Sequence, residues 1–126
     1  MSALLKSQMT YQQFGLTYSV YEDQLAAISD ALSYLGEREL NGPASEQADI
    51  LRLEAELNRK EGQIERQFDL FRSSSVAVTP PSTTNAHDIE SLMNDVAKLT
   101  SAQNLAGATL DLLNHLSDTV APLAQQ

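Results

Sequence analysis

Residues 11–35 read YQQFGLTYSVYEDQLAAISDALSYL, and eight of them fall on one line: Tyr11, Phe14, Tyr18, Tyr21, Leu25, Ile28, Leu32 and Leu35. Steps of three and four keep these side chains on a single stripe of an α-helix, as in a coiled-coil seam. Leu4 extends the stripe backwards by one heptad, so the first helix is predicted over about 4–35. Gly15 interrupts it at a cost of about 1 kcal/mol relative to alanine, and Gly36 offers a C-cap. Residues 7–21 carry no charge at all. A helix washed by solvent normally presents Glu and Lys there, so this segment is expected to be covered on more than one side.

Outward from this stripe the same device recurs. Asn41-Gly42-Pro43 marks a turn, and Ser45 is placed to cap a second helix over about 45–73. Ile50, Leu57, Ile64 and Phe71 recur every seventh residue, with Leu53 in one intervening position and the polar Lys60 and Gln67 in the others. Fifteen of the twenty-five charged residues lie between positions 37 and 72, which makes this the solvent-facing helix. Pairs one turn apart, such as Arg52 with Glu56 and Glu56 with Lys60, read as surface pairs worth a few tenths of a kcal/mol each.

An uncharged Ser/Thr/Pro stretch follows, and the adjacent Pro80-Pro81 excludes helix, so residues 74–86 are predicted to be a flexible linker. Its reach of roughly 40 Å returns to either end of the second helix, leaving the direction of the third open. That third helix is predicted over about 87–120, on a seam of Ile89, Leu92, Val96, Leu99, Gln103, Ala106, Leu110 and Leu113. A second line, Leu105, Leu112, Leu116 and Leu123, lies beside it and makes the apolar face wider than one partner needs. The expected fold is all-α: a single domain over 1–126, an elongated three-helix bundle built as an antiparallel coiled-coil-like hairpin plus a third helix.

Chemistry is thinly represented. With no cysteine, thiolate catalysis, disulfides and Cys metal sites are excluded. The five glycines are isolated, so no phosphate-binding loop is present. His115 stands four residues after Asp111 and three before Asp118, a spacing compatible with a divalent metal. Helical spacing alone is a weak sign of a metal site, since structural sites usually draw ligands from several elements. The polar edge of an amphipathic helix is the preferred reading. Glu22 and Asp23 are neighbours that diverge on a helix, which is poor geometry for acid-base work. No catalytic residue, cofactor or metal is assigned, and the chain is expected not to be an enzyme.

The net charge of −9 opposes direct binding to nucleic acid, which needs Lys and Arg to neutralise phosphates. No stretch approaches the ~20 apolar residues of a membrane span, and the N-terminus lacks the apolar core of a cleavable signal. A cytoplasmic protein is expected, with export without a cleaved signal also compatible. The weakly charged first and last helices, rich in Ser, Thr, Gln and Ala, are loosely similar to subunits of secretion apparatus and of helical filaments. The similarity is an analogy that carries no specific motif.

The expected function is a non-catalytic helical protein-protein interaction module: a secretion-linked subunit, adaptor or small chaperone acting as a homo-oligomer or hetero-complex. Leu105, Leu112, Leu116, Tyr11 and Tyr18 are its candidate partner-binding residues. A second reading rests on charge: an acidic inhibitor or immunity-type protein that blocks a basic surface on a toxin or nucleic-acid-binding enzyme.

Overall fold

A computed structural model of the chain describes residues 3–101 and 113–117. Three long helices dominate it: α1 over Tyr11–Asn41, α2 over Gln47–Arg72 and α3 over Thr83–Ser101. Residues 113–117 are helical as well. No strand occurs among the described residues, and the expected all-α bundle of long packed helices is what the chain forms.

Helix α1 starts at Tyr11 rather than near Leu4, and the reason is local. The Thr10 hydroxyl accepts the Gln13 N–H at 3.1 Å while the Gln13 side chain accepts the Thr10 N–H at 3.0 Å. This reciprocal capping box fixes the first turn, and the residues before it take another path. At the other end the helix passes through Gly36 and continues to Asn41. Its last turn is held by Arg38, whose guanidinium donates twice to Glu46, at 2.7 and 2.9 Å. Gly42 then caps the helix by donating to the Arg38 carbonyl, and Pro43 cannot extend it.

The expected cap Ser45 lies inside a short 3-10 turn, Ala44–Glu46, that leads into α2. Helix α2 runs back antiparallel to α1, so that early residues of one meet late residues of the other. Phe14 stacks on Phe71 at 5.7 Å, and Tyr21 on Phe68 at 4.9 Å. The heptad residues Ile50, Leu53, Leu57, Ile64 and Phe71 are all fully buried, as their spacing predicts. Phe68, not Gln67, supplies the missing apolar contact.

The 74–86 segment is less of a linker than its composition suggests. Val78 is fully buried, Pro80 is buried, and Val78 pairs with Leu4 in an isolated antiparallel bridge. Helix α3 begins at Thr83, four residues before the expected start, because the Ser82 hydroxyl accepts the Asn85 N–H at 3.1 Å and caps it. Five residues separate Val78 from Thr83, a reach of at most about 17 Å. Helix α3 therefore starts beside the N-terminal end of α1 and runs in the same direction, which places Glu90 against Asp23.

Residues 113–117 lie along α2 instead. Asn114 accepts from Arg52 at 2.9 Å, the Ser117 hydroxyl donates to Glu56 at 2.9 Å, and Lys60 donates to the Ser117 carbonyl. Ascending numbers on this segment match ascending numbers on α2, so it runs opposite to α3. Of the third helix expected as one rod over 87–120, the described parts are α3 and the helical stretch at 113–117, which run in opposite directions; the other positions lie outside the described residues. Leu113 and Leu116 enter the same core as Leu92, Val96 and the α1–α2 seam.

Helix α1 is the centre of the assembly, packing along both α2 and α3. It does so with two buried lines. The seam that meets α2 is flanked by Thr17, Val20, Gln24, Ala27, Ala31, Tyr34 and Arg38, again in steps of three and four, and every one is buried. Of the charge-free segment 7–21 only Thr17, Val20 and Tyr21 are buried, so the expected cover on more than one side reaches its last residues and not its first ten.

The glycines separate into two kinds. A methyl group at Gly15 or Gly62 would meet nothing within 4 Å, so Gly15→Ala and Gly62→Ala should each stabilise by about 0.5–1 kcal/mol in urea unfolding. At Gly42 a methyl group would lie 2.5 Å from the Arg38 carbonyl oxygen, and Gly42→Ala should destabilise instead.

Candidate interaction surface

The five residues singled out from sequence fare differently. Tyr11 is 98% exposed. Tyr18 is half-buried, with its ring edge-on to Phe68 at 4.9 Å and tilted against Phe14 at 5.9 Å. Leu116 is covered by the chain's own core. Leu105 and Leu112 lie outside the described residues. The structure therefore leaves Tyr11 as the one fully presented member among those it describes.

Tyr11 holds the first place in the α1 stripe, and its register is that of Phe14, Tyr18 and Tyr21. Those three rings pack on Phe68 and Phe71. Arg72 closes the group from outside, its guanidinium 4.1 Å from the Phe68 ring centre. Tyr21 is buried so completely that desolvation pushes its hydroxyl up to about 12. Tyr11 extends the ladder one step past the last ring on α2, and nothing among the described residues covers it.

Besides Leu5 in the N-terminal stretch, three leucines of α1 and α2 join it at the surface. Leu40 is 84% exposed and Leu51 54% exposed, both beside the 42–46 turn, while Leu70 is 39% exposed on the outer side of α2. Their positions in sequence carry the signal: Leu40 falls five residues after Leu35 and so off the stripe, and Leu51 and Leu70 each adjoin a seam residue. Such positions point away from the core by helical geometry. A depression lined by Gly62, Glu65, Arg66, Asp69, Leu70 and Ser73 runs along the same side of α2. All six come from one helix and its cap, so it is an open surface feature rather than a cleft.

Acidic groups crowd one another where helices meet. Burial, with Glu90 and Glu22 nearby, raises the Asp23 carboxyl above its ordinary range. Burial and a hydrogen bond with Glu39 do the same for Glu54. Glu56 is shifted the other way, first by the Ser117 hydroxyl and then by Arg52. Among the described residues no three His, Asp or Glu side chains gather as a metal site would require. His115 is exposed, and its sequence companions Asp111 and Asp118 are outside the described residues. No described helix is long and apolar enough to cross a membrane.

Comparison with protein-family models, with curated proteins and with solved structures gives no significant match to this chain.

Proposed function

We propose that the chain is a non-catalytic helical interaction module, a subunit or adaptor that docks on a protein partner or on copies of itself. The observation that carries this reading is Tyr11. A large aromatic ring sits in perfect register with a buried ladder yet stands 98% exposed. Tyrosine in that setting supplies broad apolar area at low entropic cost and is favoured at interfaces. Leu40 and Leu51 supply a second apolar site at the opposite end of the hairpin, about 43 Å along α1 at ~1.5 Å per residue. Two anchors so far apart suit a long, shallow helical partner better than a small ligand.

The test compares the wild-type chain with Tyr11→Ser and with Leu40→Ser/Leu51→Ser by sedimentation velocity over a range of concentrations, and by affinity capture from the native host. Association that weakens at least tenfold in the variants, with helical content unchanged, is the expected result. A strict monomer whose captured partners are indifferent to all three substitutions would refute the proposal.

Charge supports the acidic-inhibitor reading as the alternative. Helices α1 and α3 together hold eight acidic residues against Arg38 and Lys98, and Arg38 is already engaged with Glu46. A basic target would be drawn to that side. Association governed by charge slows steeply between low and physiological salt, whereas docking through Tyr11 and the leucines changes little.

A further inference from the structure

Residues 3–9 belong to no long helix, yet they are tied down at defined points. The Leu4 N–H donates to the Val78 carbonyl and the Val78 N–H to the Leu4 carbonyl, both at 2.8 Å. The Lys6 ammonium donates to the Arg72 carbonyl, one of the open acceptors at the end of α2. Met9 packs against the core, its sulfur 4.0 Å from the Thr17 hydroxyl, which itself donates to the Gln13 carbonyl at 2.7 Å. This short stretch thus crosses the end of the bundle where Phe14, Phe71, Val76 and Val78 gather.

Its own side chains bury little. Leu5, Ser7 and Gln8 are exposed, and Leu4, Lys6 and Met9 are only half-buried. The apolar residues beneath it are the reverse, with Phe71 and Val78 fully buried. Segments with few buried contacts and solvent-facing backbone bonds open well before the core does. The hydrogen bonds between Leu4 and Val78 can part without moving a single residue of α1, because the capping box at Thr10 and Gln13 is complete without them.

We propose that residues 3–9 are a strap that opens as a unit of its own, while the helices stay folded, and that opening bares the Phe14, Phe71 and Val78 end of the bundle to solvent. Opening breaks two main-chain bonds and one lysine bond, and water satisfies all the freed groups at once. The hairpin turn differs, because there the Arg38–Glu46 pair, with Arg38 buried and Glu46 half-buried, locks the 42–46 connection.

Native-state hydrogen exchange on the full chain tests this directly. The Leu4 and Val78 amides should exchange together, at least 100-fold faster than those of Ile28 and Leu57, and with a denaturant dependence well below that of the core helices. Leu4→Pro, which removes one of the two main-chain donors, should increase binding of the apolar dye ANS several-fold with the helical circular dichroism retained. Exchange of Leu4 and Val78 at the rate and denaturant slope of the core helices would overturn the proposal. So would dye binding at the wild-type level in Leu4→Pro, or loss of its helical signal, because the strap would then belong to the cooperative core.

Discussion

Phe71→Ala should remove about 3–5 kcal/mol of stability, the range for deleting a fully buried phenylalanine. The residue is completely buried, faces Phe14 and Tyr21 at ring separations of 5.7 Å each, and sits where α2 ends under the N-terminal residues. Loss of transfer energy is only part of the effect. Both neighbouring rings are held by α1 and cannot close the hole without moving that helix against α2, so most of the cavity would persist. A domain of this size is typically stable by about 5–15 kcal/mol, so the substitution takes about a fifth of the total or more. Urea unfolding followed by circular dichroism should show a midpoint shifted to much lower denaturant with little change in slope. Leu70→Ala is the control one position away: its side chain is 39% exposed, and its effect should stay within about 0.5 kcal/mol. Equal effects at positions 70 and 71 would mean that the seam assigned to α2 is wrong.

The α2 seam is legible in apolar spacing because burial on one helix face leaves a period of three and four, whereas the α1 stripe is buried at Tyr21, Ile28 and Leu35 but only partly at Phe14, Tyr18, Leu25 and Leu32. Ile50, Leu57, Ile64 and Phe71 are buried without exception. Helix boundaries were harder. Leu4 has the register of the stripe but pairs with Val78, and the Thr-x-x-Gln signature at Thr10–Gln13 marks the true start. Gly36 looks like a stop, but the contacts of Tyr34, Leu35 and Arg38 hold the helix through it, an instance of tertiary packing outweighing local propensity. The opposite directions of α3 and residues 113–117 are not legible in a seam that runs from Ile89 to Leu113 with only Gln103 polar. Leu116, a candidate partner-binding residue by its spacing, lies in the core. Val78 was hidden for a different reason: a single valine in a Ser/Thr/Pro stretch has no periodicity to reveal it. Tyr11 was identifiable as a seam residue, but whether a partner ring stands opposite depends on where α2 ends, which spacing on α1 does not encode.

Ala31→Glu should prevent cooperative folding altogether. Ala31 lies on the second buried line of α1, between Ala27 and Tyr34, and is completely inaccessible to solvent. Reading this line from sequence is difficult because its members are small or polar: Thr17, Val20, Gln24, Ala27 and Ala31 carry none of the bulk that marks a seam. Their smallness has a structural meaning. With α2 occupying the aromatic stripe, this face remains for α3, and two helices approach most closely where alanine replaces larger side chains. A carboxylate introduced there would lose its hydration on a fully buried face whose one basic member, Arg38, is bound to Glu46, while Lys98 of α3 is exposed. The penalty for an unpaired buried charge is several kcal/mol or more, comparable with the whole stability of the domain. Ala31→Leu tests the steric part alone and should cost about 1–3 kcal/mol through overpacking. Ser33→Glu, two residues on and exposed, carries the same charge on the outer face and should stay within about 0.5 kcal/mol. Thermal unfolding by circular dichroism separates the three. If Ala31→Glu melts with the wild-type midpoint, α3 does not rest on this face, and the placement of α1 at the centre of the bundle falls with it.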